Sequence, residues 1–219
     1  MSVRERYDTE LEVLNNKIVE LGHFAQEALK DSLTALDNRD IEKSLFIMDE
    51  DVKANRIEEE INDLAILLIA KQQPVATDLR RIIVAIKIAA DLERIADFAV
   101  NIAKSTIRMG NDSFVNSIDN IHQMYDITEQ MIELVLEAYA DEDVVKAKRI
   151  AELDDGVDEL YGDTIKDLLS SSAAQPEKLA QITQLSFVCR YLERAADHVT
   201  NISENIFYLV KGKRYDLNK

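Results

Sequence analysis

The chain has 219 residues, of which 26 are basic and 42 acidic, so its formal net charge is −16. This balance excludes nucleic acid as a natural partner, because phosphate contacts need a basic footprint. Only five glycines and two prolines are present, so we predict a nearly all-helical protein with few turns.

The spacing of apolar residues predicts six long helices in chain order. The first covers residues 4–36 and the second residues 41–70, with the polar segment 37–40 as the turn between them. The third covers residues 78–108, after a break at Pro74, since a helix rarely continues through the residue before a proline. The remaining helices are predicted over residues 114–140, 144–169 and 177–211.

The third and sixth helices carry the same sequence motif a hundred positions apart. Leu92-Glu93-Arg94-Ile95-Ala96-Asp97 is matched by Leu192-Glu193-Arg194-Ala195-Ala196-Asp197. The chain breaks also recur in the same order, which indicates two tandem three-helix units, residues 1–110 and 111–219. Short connections make successive helices antiparallel. The predicted fold is therefore all-α, with two three-helix bundles related by a pseudo-twofold axis.

Each copy of the motif places oxygen-bearing side chains four residues apart, on one face of its helix. Stacked carboxylates repel, and a bound cation would relieve the repulsion. A solvated helix face is the ordinary explanation for one such stripe, but its repetition at the same register favours a site. The two stripes comprise Glu93, Asp97, Asn101, Glu193, Asp197 and Asn201.

The helix before each stripe carries further carboxylates, around Asp49 in the first unit and Asp154 in the second. Antiparallel packing can bring these residues level with the stripe on the next helix. Oxygen ligands suit hard cations such as Mg²⁺, Ca²⁺ and Mn²⁺, or iron. The sequence therefore predicts one carboxylate metal site in each unit.

Enzymatic chemistry has little support in the sequence. Di-iron bundles use two Glu-x-x-His pairs, but Glu20 and His23 are matched only by Asp119 and His122. Neither a nucleophile–base pair nor a phosphate-binding glycine loop stands out. The single cysteine, Cys189, is predicted to be a buried apolar residue. No apolar run approaches the ~20 residues of a membrane span, and we expect a soluble cytoplasmic protein.

The repeated motif resembles the acidic repeats of the PhoU family. The junction 70–80, which reads Ala-Lys-Gln-Gln-Pro-Val-Ala-Thr-Asp-Leu-Arg, and the segment 205–212 are also similar to that family. The resemblance covers essentially the whole chain. It implies two three-helix bundles with metal clusters, iron or zinc, at the acidic repeats. The implied ligands are Glu93, Asp97, Glu193 and Asp197, with iron, zinc, manganese or magnesium as the candidate ions.

The resemblance also implies a function. The chain would be a negative regulator of phosphate uptake and of the phosphate-starvation response, and not an enzyme. It would couple the ATPase of a phosphate ABC transporter to a sensor histidine kinase, and we expect a homodimer. The segment 170–176 lacks the Ala-Thr-Asp-Leu-Arg sequence of the first unit, so the two halves need not bind partners equivalently. The alternative is a carboxylate metal store or a metal-dependent enzyme on the same scaffold.

Overall fold

The computed structural model describes residues 3–111, 113–115 and 117–215. These residues form six α-helices and one short 3-10 turn at Pro176–Lys178, with no strand among them. The all-α prediction is confirmed. The helices are α1 (Val3–Asn38), α2 (Ile41–Gln72), α3 (Ala76–Met109), α4 (Asp119–Ala140), α5 (Val144–Ala174) and α6 (Leu179–Lys211).

The first two helices of each unit are joined by the same tight turn. Arg39 and Glu142 both have a φ of 51°, and the next residue, Asp40 or Asp143, caps the helix that follows. Asp40 accepts a hydrogen bond from the amide of Lys43, which satisfies one of the free N–H groups at the start of α2. Because Asp143 is the counterpart of Asp40, these helix pairs align with an offset of 103 positions.

The third helix of each unit, α3 or α6, begins without a side-chain hydrogen bond from its N-cap residue. α3 begins at Ala76, with Val75 in extended backbone at the cap position. Thr77 and Asp78, which are the polar residues suited to capping, lie inside the first turn instead. α3 ends at Gly110, whose φ of 65° suits glycine.

Two three-helix units are present, as predicted, but they share one core. α3 packs against α1 and α2, α6 packs against α4 and α5, and α3 and α6 pack against each other. Leu92 and Leu192, the first residues of the two copies of the motif, are both fully buried in this continuous core. Cys189 is buried as predicted, and burial raises the pKa of its thiol to about 12. The division into residues 1–110 and 111–219 stays a prediction.

The α3–α6 seam has pseudo-twofold symmetry in position but not in chemistry. Asp91 Oδ1 lies 2.9 Å from His198 Nδ1 at one end of the seam. The equivalent positions at the other end, Tyr191 and Phe98, hold stacked rings 6.1 Å apart.

None of the helices in the described part of the chain has the length and apolarity that a membrane span requires.

The second contact between the units, α1 against α4, depends on a glycine. A Cβ added at Gly22 would overlap the buried side chain of Leu136 on α4, whereas one added at Gly162 on α5 would meet open space. We expect Gly162→Ala to stabilise the protein by about 0.5–1 kcal/mol through helix propensity. We expect Gly22→Ala to destabilise it by about 1 kcal/mol, because overpacking outweighs the same gain. Urea unfolding of both variants checks this, and equal stabilisation by both would contradict the close approach.

Candidate metal centre

The acidic stripe of α3 lies along the seam between α3 and α2. Glu93 and Asp97 are one helical turn apart, and their side chains are 16% and 30% exposed. Arg94 Nη1 lies 2.7 Å from Asp97 Oδ2, and its Nε lies 3.6 Å from Glu93 Oε2. The Arg94 side chain is itself 59% exposed. Solvent therefore screens these ion pairs, and they offset little of the carboxylate repulsion.

Helix α2 adds carboxylates to the same seam. Burial raises the pKa of Glu93, and the negative charges of Asp97, Glu58 and Asp51 raise it further. Burial also raises the pKa of Asp51, as does the charge of Asp97 across the seam. We call Asp51, Glu58, Glu93 and Asp97 the first carboxylate cluster. The predicted convergence of α2 and α3 is therefore found in the first unit.

The residue that α2 supplies differs from the predicted one. Asp49 is exposed and takes no part in the charge interactions of the cluster, whereas Asp51 is half-buried and does. Two residues correspond to about 200° around a helix, so the two side chains cannot share a face. The sequence analysis took Asp49 and Asp154 as the corresponding residues of the two units. The offset of 103 given by the turns matches Asp51 with Asp154 instead.

The second carboxylate cluster lies between α5 and α6. It consists of Asp154, Asp158, Glu193 and Asp197, and the charge of Asp197 raises the pKa of the other three. Asp154 is only 5% exposed. Burial is the main cause that raises its pKa to about 7, followed by the charges of Asp158 and Asp197. The hydroxyl of Thr200 opposes this shift, although the two groups do not form a hydrogen bond of ordinary geometry.

Glu193 shows most directly that the second cluster is incompletely compensated. Its Oε1 accepts a hydrogen bond from Arg190 Nη1 at 2.5 Å. Its Oε2 is buried and has no hydrogen-bond partner among the residues that the structure describes. Burial raises the pKa of Glu193, and the charges of Asp197 and Asp158 add to that effect. An orphaned carboxylate oxygen beside other carboxylates is the chemical environment in which a hard cation binds.

The oxygen donors of both clusters are of the type that a hard cation prefers, but the side chains are not arranged around a common point. Among residues 3–111, 113–115 and 117–215, no three His, Cys, Asp or Glu side chains are placed closely enough to hold a metal ion. Side-chain movement would therefore have to precede binding. Metal ligation at Glu93, Asp97, Glu193, Asp197 and Asp154 stays a prediction.

The two predicted asparagine ligands are not seen in contact with the carboxylates. Asn101 is half-buried, and no hydrogen bond to either cluster is found for it within the described residues. Asn201 instead lines a groove between α3 and α6 together with Asp91 and Lys87. The stripe therefore diverges after its second member, since a spacing of four residues drifts slowly around a helix.

The histidines lie away from both clusters. His198, the neighbour of Asp197 in sequence, pairs with Asp91 across the α3–α6 seam. His122 Nε2 lies 3.1 Å from Asp37 Oδ1 on α1, and His23 is exposed. This arrangement gives no support to a di-iron site of the Glu-x-x-His type.

Asp51, Glu58 and Asp158 are cluster members that the sequence analysis did not identify. A signal for Asp51 was present in the sequence, because Asp40 and Asp143 are recognisable cap residues that fix the register of α2 against α5. Asp158 has no acidic counterpart, since the equivalent residue in α2 is Asn55. Repetition alone could not have found it.

Comparisons with known proteins agree on one family. A family model described as the PhoU domain matches the chain twice, over residues 18–106 and 121–206. A PhoU homologue described as a phosphate-specific transport system accessory protein, from Clostridium acetobutylicum, is 37% identical over 98% of this chain and 99% of its own length. The Escherichia coli K12 protein of the same description, PhoU, is 30% identical over 96% of this chain and 87% of its own length.

Solved structures show the same similarity. The crystal structure of the phosphate transport system regulatory protein PhoU from Streptococcus pneumoniae has a TM-score of 0.90 with this chain. It is 29% identical, over 96% of this chain and 99% of that one. The crystal structure of PhoU from Pseudomonas aeruginosa also has a TM-score of 0.90. It is 27% identical, over 94% of this chain and all of that one.

The raised pKa of Asp154 predicts a specific pH dependence of stability. The folded protein holds a proton on Asp154 more tightly than the unfolded chain does, where the pKa is about 4. The stability that this group contributes is complete below about pH 4 and is lost as the pH rises through about 7. In metal-free buffer we expect Asp154→Asn to be more stable than the parent at pH 8, by on the order of 2 kcal/mol. Near pH 4 the two should be nearly equal.

Urea unfolding at both pH values measures this difference. The exposed Glu152 on α5 provides the control, since Glu152→Gln removes one negative charge from the surface of the same helix. A stability difference for Asp154→Asn that does not change with pH would show that Asp154 is not protonated as described.

Proposed function

The chain belongs to the PhoU family, and we propose that it is a regulatory accessory protein of phosphate transport. It acts as a negative regulator of phosphate uptake and of the phosphate-starvation response. The observation that carries this proposal is the similarity to accessory proteins of phosphate-specific transport over 98% of the chain. Those relatives are named as accessory or regulatory proteins, which supports a role other than catalysis.

We infer that the protein works as an adaptor in the cytoplasm. One partner is the ATPase subunit of the phosphate ABC transporter, and the other is a sensor histidine kinase. The net charge of −16 supports this inference, because a strongly acidic surface favours encounter with basic patches on partner proteins. The proposal includes a homodimer as the working assembly.

The two carboxylate clusters are the proposed regulatory sites. The residues that would hold a cation are Asp51, Glu93 and Asp97 in the first cluster and Asp154, Glu193 and Asp197 in the second. The cation would supply positive charge that neutralises carboxylates held close together by packing. Each cluster spans two helices, so its charge state influences how those helices pack and which surface the protein presents to a partner.

The experiment is affinity capture from phosphate-replete cells, with the metal content measured on the same purified sample. Recovery of the transporter ATPase or the sensor kinase would support the adaptor role. Recovery of neither, together with a stoichiometric redox metal, would contradict it and favour a metal store or metal-dependent enzyme. Light scattering of the purified protein measures whether it is a dimer.

Substitutions on α2 separate the predicted ligand from the one that the structure favours. We expect Asp51→Asn to lower metal retention severalfold, as the replacement Glu93→Ala with Asp97→Ala also should. Asp49→Asn removes the same charge from an exposed position and should retain metal like the parent. Elemental analysis and a phosphate-responsive reporter read both effects. Loss of metal with unchanged repression would remove the clusters from signalling, and equal metal loss in both single variants would contradict the assignment of Asp51.

A further inference from the structure

The first unit contains a cavity of about 240 Å³ where α1, α2 and α3 meet. It adjoins the first carboxylate cluster through Asp51. Its floor is apolar, and every ionisable side chain on its wall is acidic. The lining residues are Phe24, Ala28, Phe46, Ile47, Ala96 and Val100, with Glu27, Asp31, Glu50 and Asp51 as the charged members.

The acidic wall of this cavity is only partly neutralised. Lys43 Nζ lies 2.6 Å from Asp31 Oδ1, and Lys53 is paired with Glu50. Within the described part of the chain, Glu27 and Asp51 have no ion-pair partner. The charge of Lys104 opposes the rise in the pKa of Asp51 without forming an ion pair. A guest with a positive end would still meet an excess of negative charge, and a guest with an apolar stem would contact the apolar lining residues.

The second unit carries bulkier or less acidic residues at several of the equivalent positions. With the offset of 103, Met131 takes the place of Ala28 and is fully buried. Leu134 and Leu153 replace Asp31 and Glu50. The equivalent region of the second unit therefore has a bulkier side chain and fewer carboxylates than the cavity, although Asp154 keeps the place of Asp51.

We propose that this cavity receives one long basic side chain, arginine or lysine, from a partner protein. Ligand pockets for drug-sized molecules are typically about 300–1,000 Å³, so the cavity suits a single side chain better than a free cofactor. Arginine and lysine bury an aliphatic stem while keeping the charged head among polar groups. Phe46, which is 58% exposed at the cavity edge, offers apolar contact to residues beside the inserted one.

This inference goes beyond the proposed function and is tested without the transporter or the kinase. The probe is a capped five-residue peptide with arginine between two leucines, added to the purified full-length protein. A second peptide carries citrulline, the uncharged isostere of arginine, and pentylguanidinium represents a free small cation. Binding is followed by NMR shifts of the Ala96 methyl group, with Ala196, its equivalent in the second unit, as internal reference.

We expect saturable shifts at Ala96 with the arginine peptide, none at Ala196, and at least about tenfold weaker binding of the citrulline peptide. Ala28→Met introduces the residue that the second unit uses, so it should fill the cavity and abolish binding while the protein stays folded. Glu27→Gln should weaken binding severalfold. Glu12→Gln, an exposed carboxylate on the same helix outside the cavity, should not.

Three outcomes would overturn the proposal. Equal binding of the arginine and citrulline peptides would show that charge is not recognised. Undiminished binding to folded Ala28→Met would place the peptide elsewhere. Binding of pentylguanidinium without binding of the arginine peptide would assign the cavity to a free small cation rather than to a partner's side chain. If Ala28→Met does not fold, the comparison of Glu27→Gln with Glu12→Gln decides the location in its place.

Discussion

The structure depends on two helices that are each packed on three sides. α3 contacts α1, α2 and α6, and α6 contacts α3, α4 and α5. A helix covered on so much of its circumference must be apolar nearly all round, which explains the many alanine, isoleucine and leucine residues of both. The polar side chains of these helices lie at their exposed faces and at the seams between helices, as Asp91 and His198 do between α3 and α6. The two carboxylate clusters lie at the seams with α2 and α5, so their burial follows from the architecture.

Burial gives these carboxylates an energetic problem that the protein only partly solves. Charged oxygens lose hydration on packing, and their neighbours on α2 and α5 are also acidic, so both effects favour the protonated form. Arg94 and Arg190 compensate from the solvent side, but Glu193 Oε2 still lacks a hydrogen-bond partner in the described part of the chain, and burial raises the pKa of Asp154 to about 7. A site of this kind responds to protons or to a cation.

The two units keep one backbone plan but differ in the chemistry of equivalent positions. At the α3–α6 seam, an Asp91–His198 pair at one end corresponds to stacked Tyr191 and Phe98 at the other. Beside the clusters, the small Ala28 corresponds to the buried Met131. Cores tolerate such exchanges when volume and pattern are kept. Where volume was not conserved, at Ala28, the first unit contains an acidic cavity.

Composition, periodicity and the repeated motif were enough to predict six helices, two three-helix units and the position of both acidic stripes. These features are local, since a stripe such as Glu93 and Asp97 needs only residue spacing along one helix. Sequence reasoning chose Asp49 and did not single out Asp51, because the register between α2 and α3 depends on how the turn at Asp40 closes and on which face packs inward. Nor could it show the shared core of α3 and α6, the orphaned oxygen of Glu193 or the cavity beside Ala28. Those features arise from packing between residues distant in the chain, and only the tertiary structure determines which side chains lose water and which space stays unfilled.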